Sequence, residues 1–505
     1  MSEPTGVVFP RAEARGTPGD EDSDAAAAGG GRSTSALGRA VVSDALGAVD
    51  LVGSAAVTRE TNWRQGYLGH FRRLVEAGLT TDEAAVDIAR AGLSSLHARM
   101  RVVTPEGERP LVETFSGPPQ SRPLDSVVIQ GAGSRREELS LPFRGDRLTG
   151  ERLLRQLDDW VSRGILEPSA ADAVRVVVAE PERLRLEERR VVVLGAGAEM
   201  GPLRALLSWG ADVIAVDLPR PDIWDRLLPV ARESAGRLTL PVAAGTANES
   251  TRTDRAGADL LHSLPLVADW LETQEGRLVL GNYVYADGST NVRVATAVDA
   301  LTVELLRRRA GEVSLAFLAT PTDVFAVPGD AVAHSVRAYD GAGSLMRLAR
   351  PAARALSGGR LLRRNYAPGS VPGINDSLVP QQGPNYALAK RLQRWRATAT
   401  RRDGVEVSLK IAPPTRTRSV LKNRALAAAY AGAHRFGIEV FEPATSNTLM
   451  AALLVHELTS PRPPLRPPWQ EEADAAVHGG LWRGPYDPRS ALGLAVVLGL
   501  GSART

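Results

Sequence analysis

The rhythm of apolar and polar positions changes along the chain, and the changes divide it. Residues 1 to about 40 are Ala, Gly, Ser, Thr and acidic residues with little to bury, which predicts a flexible tail. From 41 to 185 apolar residues recur at helical spacing over 63–98, with Thr81 placed to cap a helix ahead of Asp82 and Glu83, and again over 150–163 and 168–179. Short apolar runs at 100–103 and 126–129 predict strands, so this stretch reads as an accessory α/β region. From 189 onward, runs rich in Val, Ile and Leu alternate with helical stretches, and strands are expected at 191–194, 212–216, 238–242, 277–280, 314–318, 405–411 and 438–441. Alternation of this kind predicts a doubly wound α/β fold, a parallel sheet whose crossover helices cover both faces.

The alternation breaks over 331–385, and 350–384 is rich in Gly, Pro, Asn and Arg, which predicts an inserted lid or binding loop. A proline-rich extended stretch at 461–468 precedes a last apolar run at 491–500. The expected organisation is a tail to 40, an accessory region over 41–185, a catalytic domain over 186–460 and a C-terminal tail over 461–505.

Composition excludes several classes. Sixty-one basic residues nearly balance 58 acidic ones, for a net charge of +3, so no nucleic-acid partner is expected. The absence of cysteine removes disulfides, thiolate metal sites and a cysteine nucleophile. The seven histidines show no metal-ligand spacing. No run of 18 apolar residues occurs and the acidic N-terminal stretch is not a secretory signal, so no membrane span and a cytoplasmic location are expected. The basic residues are almost all arginine, which makes Lys390, Lys410 and Lys422 informative. The arginine runs 307–309 and 363–364 read as solvated charge or as partners for an anionic substrate.

The strand at 191–194 runs into Gly195-Ala196-Gly197-Ala198-Glu199-Met200-Gly201 and then a helical stretch over 202–209. Glycines let the backbone approach a diphosphate, and the amides and dipole of a following helix face its charge. The next strand ends in Asp217, where a carboxylate can accept from the adenine-ribose hydroxyls. That placement favours NAD over NADP, with Arg220 nearby keeping the phosphorylated form open. The same pattern suits the adenosyl cofactor of a class I methyltransferase. Gly131 and Gly133, lacking a third glycine, read as a plain turn.

Tyr386 and Lys390 stand four apart at the start of a helical segment that runs to about 399, so phenol and ammonium share one face. Eight tyrosines and three lysines in 505 positions would give about 0.05 such pairs by chance. A nearby ammonium stabilises phenolate, which a phenol needs in order to exchange a proton with an alcohol or carbonyl near neutral pH.

In order along the chain these features resemble the short-chain dehydrogenase/reductase family over about 186–330 and 386–460. The glycine turn matches at its first and last glycines, with Glu199 at the middle position. The 278–288 segment sits where the family has its Asn-Asn-Ala-Gly strand end, and Asn291 stands where the family has a helix-borne asparagine. Thr320, with Thr322 beside it, follows the strand at 314–318 at the place of the family's serine. Tyr386 and Lys390 match its proton donor and partner, and 405–417, with Pro413, resembles its nicotinamide-side loop.

The resemblance implies a Rossmann-like fold and an NAD- or NADP-dependent oxidoreductase acting on a small-molecule carbonyl or alcohol. Tyr386, Lys390, Thr320 and Asn291 would be catalytic. Gly195, Gly197, Met200, Gly201, Asp217, Lys390 and Pro413 would bind the cofactor. Family members commonly form homo-oligomers, and 491–500 is a candidate subunit contact. Thr320 and Tyr386 are 66 positions apart where the family has about a dozen, so 331–385 reads as an insertion, with Ser370 and Ser377 as alternative hydroxyls. The alternatives are the methyltransferase, whose first strand usually carries an acid that this one lacks, and a non-catalytic dinucleotide-binding protein.

Overall fold

The computed structural model describes residues 5–11, 31–116, 123–245 and 255–500. The chain forms two compact units, each assembled from three segments: Met1–Glu137, Glu182–Leu318 and Gln382–Leu409 in the first, and Glu138–Pro181, Ala319–Gln381 and Lys410–Thr505 in the second. The linear divisions expected from the sequence do not follow these units. The 41–185 stretch is shared between both, and the described residues 461–500 belong to the second. Periodicity along a chain reports which elements form, not which of them share a core.

A seven-stranded sheet dominates the first unit. Its strands are β1 (Leu124–Gln130), β2 (Arg189–Leu194), β3 (Asp212–Val216), β4 (Arg237–Ala243), β5 (Arg277–Asn282), β6 (Val313–Ala319) and β7 (Val407–Ile411), in the order β7-β6-β5-β2-β3-β4-β1. Strands β2 to β6 pair in parallel, and β1 runs antiparallel to β4 at the edge. Val191 to Leu194 and Val213 to Val216 are buried throughout, as strands covered on both faces require. The parallel strands start at β2, wind outward through β3 and β4, then return to place β5 on the other side of β2. A crevice at the carboxyl ends of β2 and β5 follows from that reversal.

Six of the seven strands expected from 189 onward lie in this sheet. The run at 438–441 does not: Phe441 makes only an isolated bridge to Thr415. The seventh place belongs to β1, whose alternating exposure suits an edge strand. The expected tail is also ordered where described. Gly6–Val8 pairs antiparallel with Arg101–Thr104, burying Val7, Val8 and Phe9, and Thr34–Gly47 is a helix capped by Ser33. Residues 1–4 and 12–30 of that tail lie outside the described residues.

Three helices matter for the site: α1 (Leu203–Ser208), α2 (Ser289–Arg308) and α3 (Gly383–Arg402). Helix Asp82–Arg99, whose N-cap Thr81 Oγ1 accepts the Ala84 amide at 3.0 Å, packs on α3. A Cβ added at Gly92 would lie 2.3 Å from the Trp395 ring, so this contact needs glycine. Asp299 of α2, buried, accepts from Nε and Nη2 of Arg396 on α3 at 2.7 and 2.8 Å and hydrogen-bonds His97 at 2.6 Å. That carboxyl is held well below the usual range by Arg396 and His97 despite its burial. The three groups fix α2, α3 and Asp82–Arg99 to one another.

The second unit holds the hairpin Leu141–Phe143/Asp146–Leu148, the pair Val324–Val327/Gly373–Asp376 and several helices. The stretch expected as a loop contains helices Gly329–Asp340 and Ser344–Leu356 besides that second strand. Helices Arg424–Gly432 and Pro488–Gly499 meet through glycine, since a Cβ at Gly499 would lie 1.9 Å from the Ala428 carbonyl. Glu167, buried, accepts from Nε and Nη2 of Arg483, at 2.8 and 2.6 Å, and hydrogen-bonds His478 Nε2 at 2.9 Å. Those partners pull its pKa down to about 2.

Candidate functional site

The turn after β2 is closed by its own chain. The amides of Gly195 and Ala196 donate to the Val216 carbonyl at 2.9 and 3.2 Å, Ala198 to Gly195 at 3.0 Å, and Gly201 to Ala198 at 3.1 Å. Gly197 donates to Asp217 Oδ2 at 2.7 Å. Helix α1 begins only at Leu203, after Pro202, and has six residues. The turn therefore does not present the row of open donors expected of it, because five of its amides already serve β3 and the turn itself. Asp217 Oδ1 also accepts the Leu218 amide at 2.7 Å, and burial raises this carboxyl's pKa against the pull of the two amides. Gly195 stands at φ +82°, and an added Cβ would meet the Tyr283 carbonyl at 3.0 Å, so the turn and the segment after β5 are in contact.

The tyrosine and the lysine stand on the helix tied to the carboxyl ends of β5 and β6. Both lie in the first turns of α3, which is longer at each end than the stretch expected to reach about 399. Lys390 Nζ donates to the Leu318 carbonyl near the end of β6 at 3.3 Å and to Gln393 Oε1 at 3.1 Å. Gln393 Nε2 in turn donates to Asn282 Oδ1, at the end of β5, at 3.1 Å, and both amides are buried. Desolvation pulls the Lys390 pKa down to about 8. The Tyr386 ring meets Tyr285 edge-on, with centroids 6.3 Å apart, and Tyr285 donates to Asp287 Oδ1 at 2.9 Å.

Asn291 is buried at the head of α2, where its Oδ1 accepts the Ala286 amide at 3.2 Å. It makes no hydrogen bond to Lys390, which donates to Gln393 instead. Gln393 was not singled out in the sequence, although its position three residues after Lys390 puts it on the same helix face. Asn282 lies within the 278–288 segment matched to the family's Asn-Asn-Ala-Gly strand end, but the sequence does not single it out.

The other expected residues belong to the second unit. Thr320 and Thr322 share a hydrogen bond of 2.8 Å between their hydroxyls. Thr322 and buried Ser377 line a cavity of about 90 Å³ walled by Leu378, Val379, Tyr430 and Ala495. Ser370 donates to the Ala367 carbonyl at 2.8 Å and Ser377 to Asn375 Oδ1 at 2.5 Å. The Pro413 carbonyl accepts from Thr415 Oγ1 at 2.9 Å.

The arginines of both runs form ion pairs within the protein. Arg308 pairs with Asp269, Glu272 and Glu304, and buried Arg309 donates to the carbonyls of Leu271, Gln274 and Gly276. Arg363 pairs with Asp487 and Arg364 with Asp340. Among the described residues no helix is long and apolar enough to cross a membrane. No protein-family model matches the sequence, and no curated protein matches it.

Proposed function

We propose that the protein is an NAD(P)-dependent oxidoreductase of Rossmann-like fold that interconverts an alcohol and a carbonyl, with Tyr386 and Lys390 at its centre. The strand order, read outward from β2, supports the fold assignment: β3 and β4 continue in parallel on one side before antiparallel β1, and β5, β6 and β7 lie on the other, with the reversal at β2 and β5. One observation carries the functional reading. Lys390 is drawn toward neutrality at the carboxyl edge of the sheet, tied to the ends of β5 and β6, one helical turn from a tyrosine.

A bound nicotinamide supplies or accepts the hydride. Tyr386 gives its phenolic proton to the oxygen of a carbonyl as that carbon is reduced, and takes it back in the reverse direction. Protonated Lys390 stabilises the phenolate left behind. Gln393 and the Leu318 carbonyl hold the amine in place, so its position does not depend on solvent. Asp217 beside the glycine turn favours a ribose with free hydroxyls over one carrying a phosphate, hence NAD.

The closed glycine turn favours a second reading, a nucleotide-binding protein without redox chemistry. Thermal-shift titrations with NAD, NADP and S-adenosylmethionine test the proposal. It expects NAD to raise the melting temperature and S-adenosylmethionine to leave it unchanged; the opposite pattern identifies a methyltransferase and overturns it.

A further inference from the structure

The amino end of α2 holds donors that the fold leaves unused. Asn291 is 3% exposed, its Oδ1 is fixed by the Ala286 amide, and its Nδ2 is buried with no hydrogen-bond partner among the described residues. Exchanging the two ends of the side-chain amide would set an N–H against the Ala286 N–H, so the orphan is the donor and not the acceptor. A buried donor without a partner is unfavourable, and a group of this kind calls for a ligand or water. It lies in the first turn of a 20-residue helix whose N-cap, Gly288, has no side chain to cap the helix amides and open space where a Cβ would stand. The hydroxyls of Ser289 and Thr290 likewise make no hydrogen bond among the described residues.

We infer that Gly288, Ser289, Thr290 and Asn291 form a phosphate site, and, resting on the oxidoreductase reading, that it takes the diphosphate of the dinucleotide in place of the closed turn at Gly195–Gly201. The helix dipole and the amides of Ser289 and Thr290 favour an anion, although the Asn291 amide already donates to the Gly288 carbonyl at 3.3 Å; two hydroxyls add neutral donors, and Asn291 Nδ2 gains its missing acceptor. The location suits a dinucleotide. The segment that leaves β5 for α2 touches Gly195 through Tyr283 and Val284, and the Tyr283 amide donates to the Leu194 carbonyl at 3.0 Å. Phosphate bound here is therefore at the β2/β5 reversal. The neighbouring carboxylate, Asp287, is exposed to solvent and already accepts the Tyr285 hydroxyl.

Calorimetric titration of the full chain with pyrophosphate, ADP-ribose, NAD and adenosine tests the site, using Asn291→Asp and the double variant Ser289→Ala/Thr290→Ala. Neither hydroxyl supports the fold, so the double variant keeps the test open if Asn291→Asp does not fold. The expected result is pyrophosphate and ADP-ribose binding weakened at least tenfold by Asn291→Asp and severalfold by the double variant, with adenosine unaffected. Phosphate ligands that bind both variants as tightly as the wild type, or that fail to bind the wild type, overturn the site. Binding lost in the variants from a wild type that transfers no hydride keeps the site, as one for free or non-redox phosphate, and removes the oxidoreductase reading alone.

Discussion

The Asp217 carboxylate accepts the Gly197 amide at 2.7 Å through one oxygen and the Leu218 amide at 2.7 Å through the other. A residue placed by sequence at the ribose thus also clamps the turn. Two donors meet two acceptors, and an asparagine could satisfy only one of them. Asp217→Asn is expected to destabilise the protein by about 1–2 kcal/mol, measured by urea denaturation. An unchanged midpoint would mean the clamp contributes nothing.

Gly195→Ala should cost about 2 kcal/mol, because alanine at φ +82° is strained and its Cβ meets the Tyr283 backbone at 3.0 Å. A normal melting temperature in this variant would show that the turn and the segment after β5 can separate freely.

Lys390→Met should abolish turnover yet stabilise the fold below pH 8. The folded pKa of about 8 lies under the ordinary value of 10.5, so burying the charged amine is a penalty present in full below pH 8. As pH rises from 8 to 10.5 the folded protein loses its proton before the unfolded chain does, and the penalty fades. The stability advantage of the methionine variant is expected to shrink over that window. An advantage independent of pH would place its origin elsewhere.

Asp299→Asn should destabilise by about 3–5 kcal/mol, because it leaves Arg396 half-buried without its carboxylate and loosens His97. In the wild type this carboxylate contributes stability above the ordinary pKa of 3.8, and the contribution is lost as pH falls toward the depressed folded value. Denaturation curves of wild type and variant should therefore converge in acid.

Much of this arrangement was legible before coordinates. The apolar runs from β2 to β7 are long, bounded by glycine or proline and buried on both faces, so the sheet could be read directly. Edge strand β1 was read as a strand but not as part of this sheet, since register with β4 joins residues more than a hundred positions apart. The turn at Gly195 was read correctly as a strand-to-helix bend. Its closure was not foreseen, because which carbonyls the amides find depends on β3 and not on the glycines. Tyr386 and Lys390 share a helix as expected, whereas the bond from Gln393 to Asn282 links β5 to α3 and leaves no local pattern.

The most direct measurement is oxidation of NADH by wild type and Tyr386→Phe, followed by nicotinamide absorbance over a panel of ketones and aldehydes. The account predicts turnover by the wild type on at least one of them and a loss of about 10²–10⁴ in the variant, with NADH affinity near normal. Equal turnover by the two proteins, or NADH binding without hydride transfer across the panel, would contradict it.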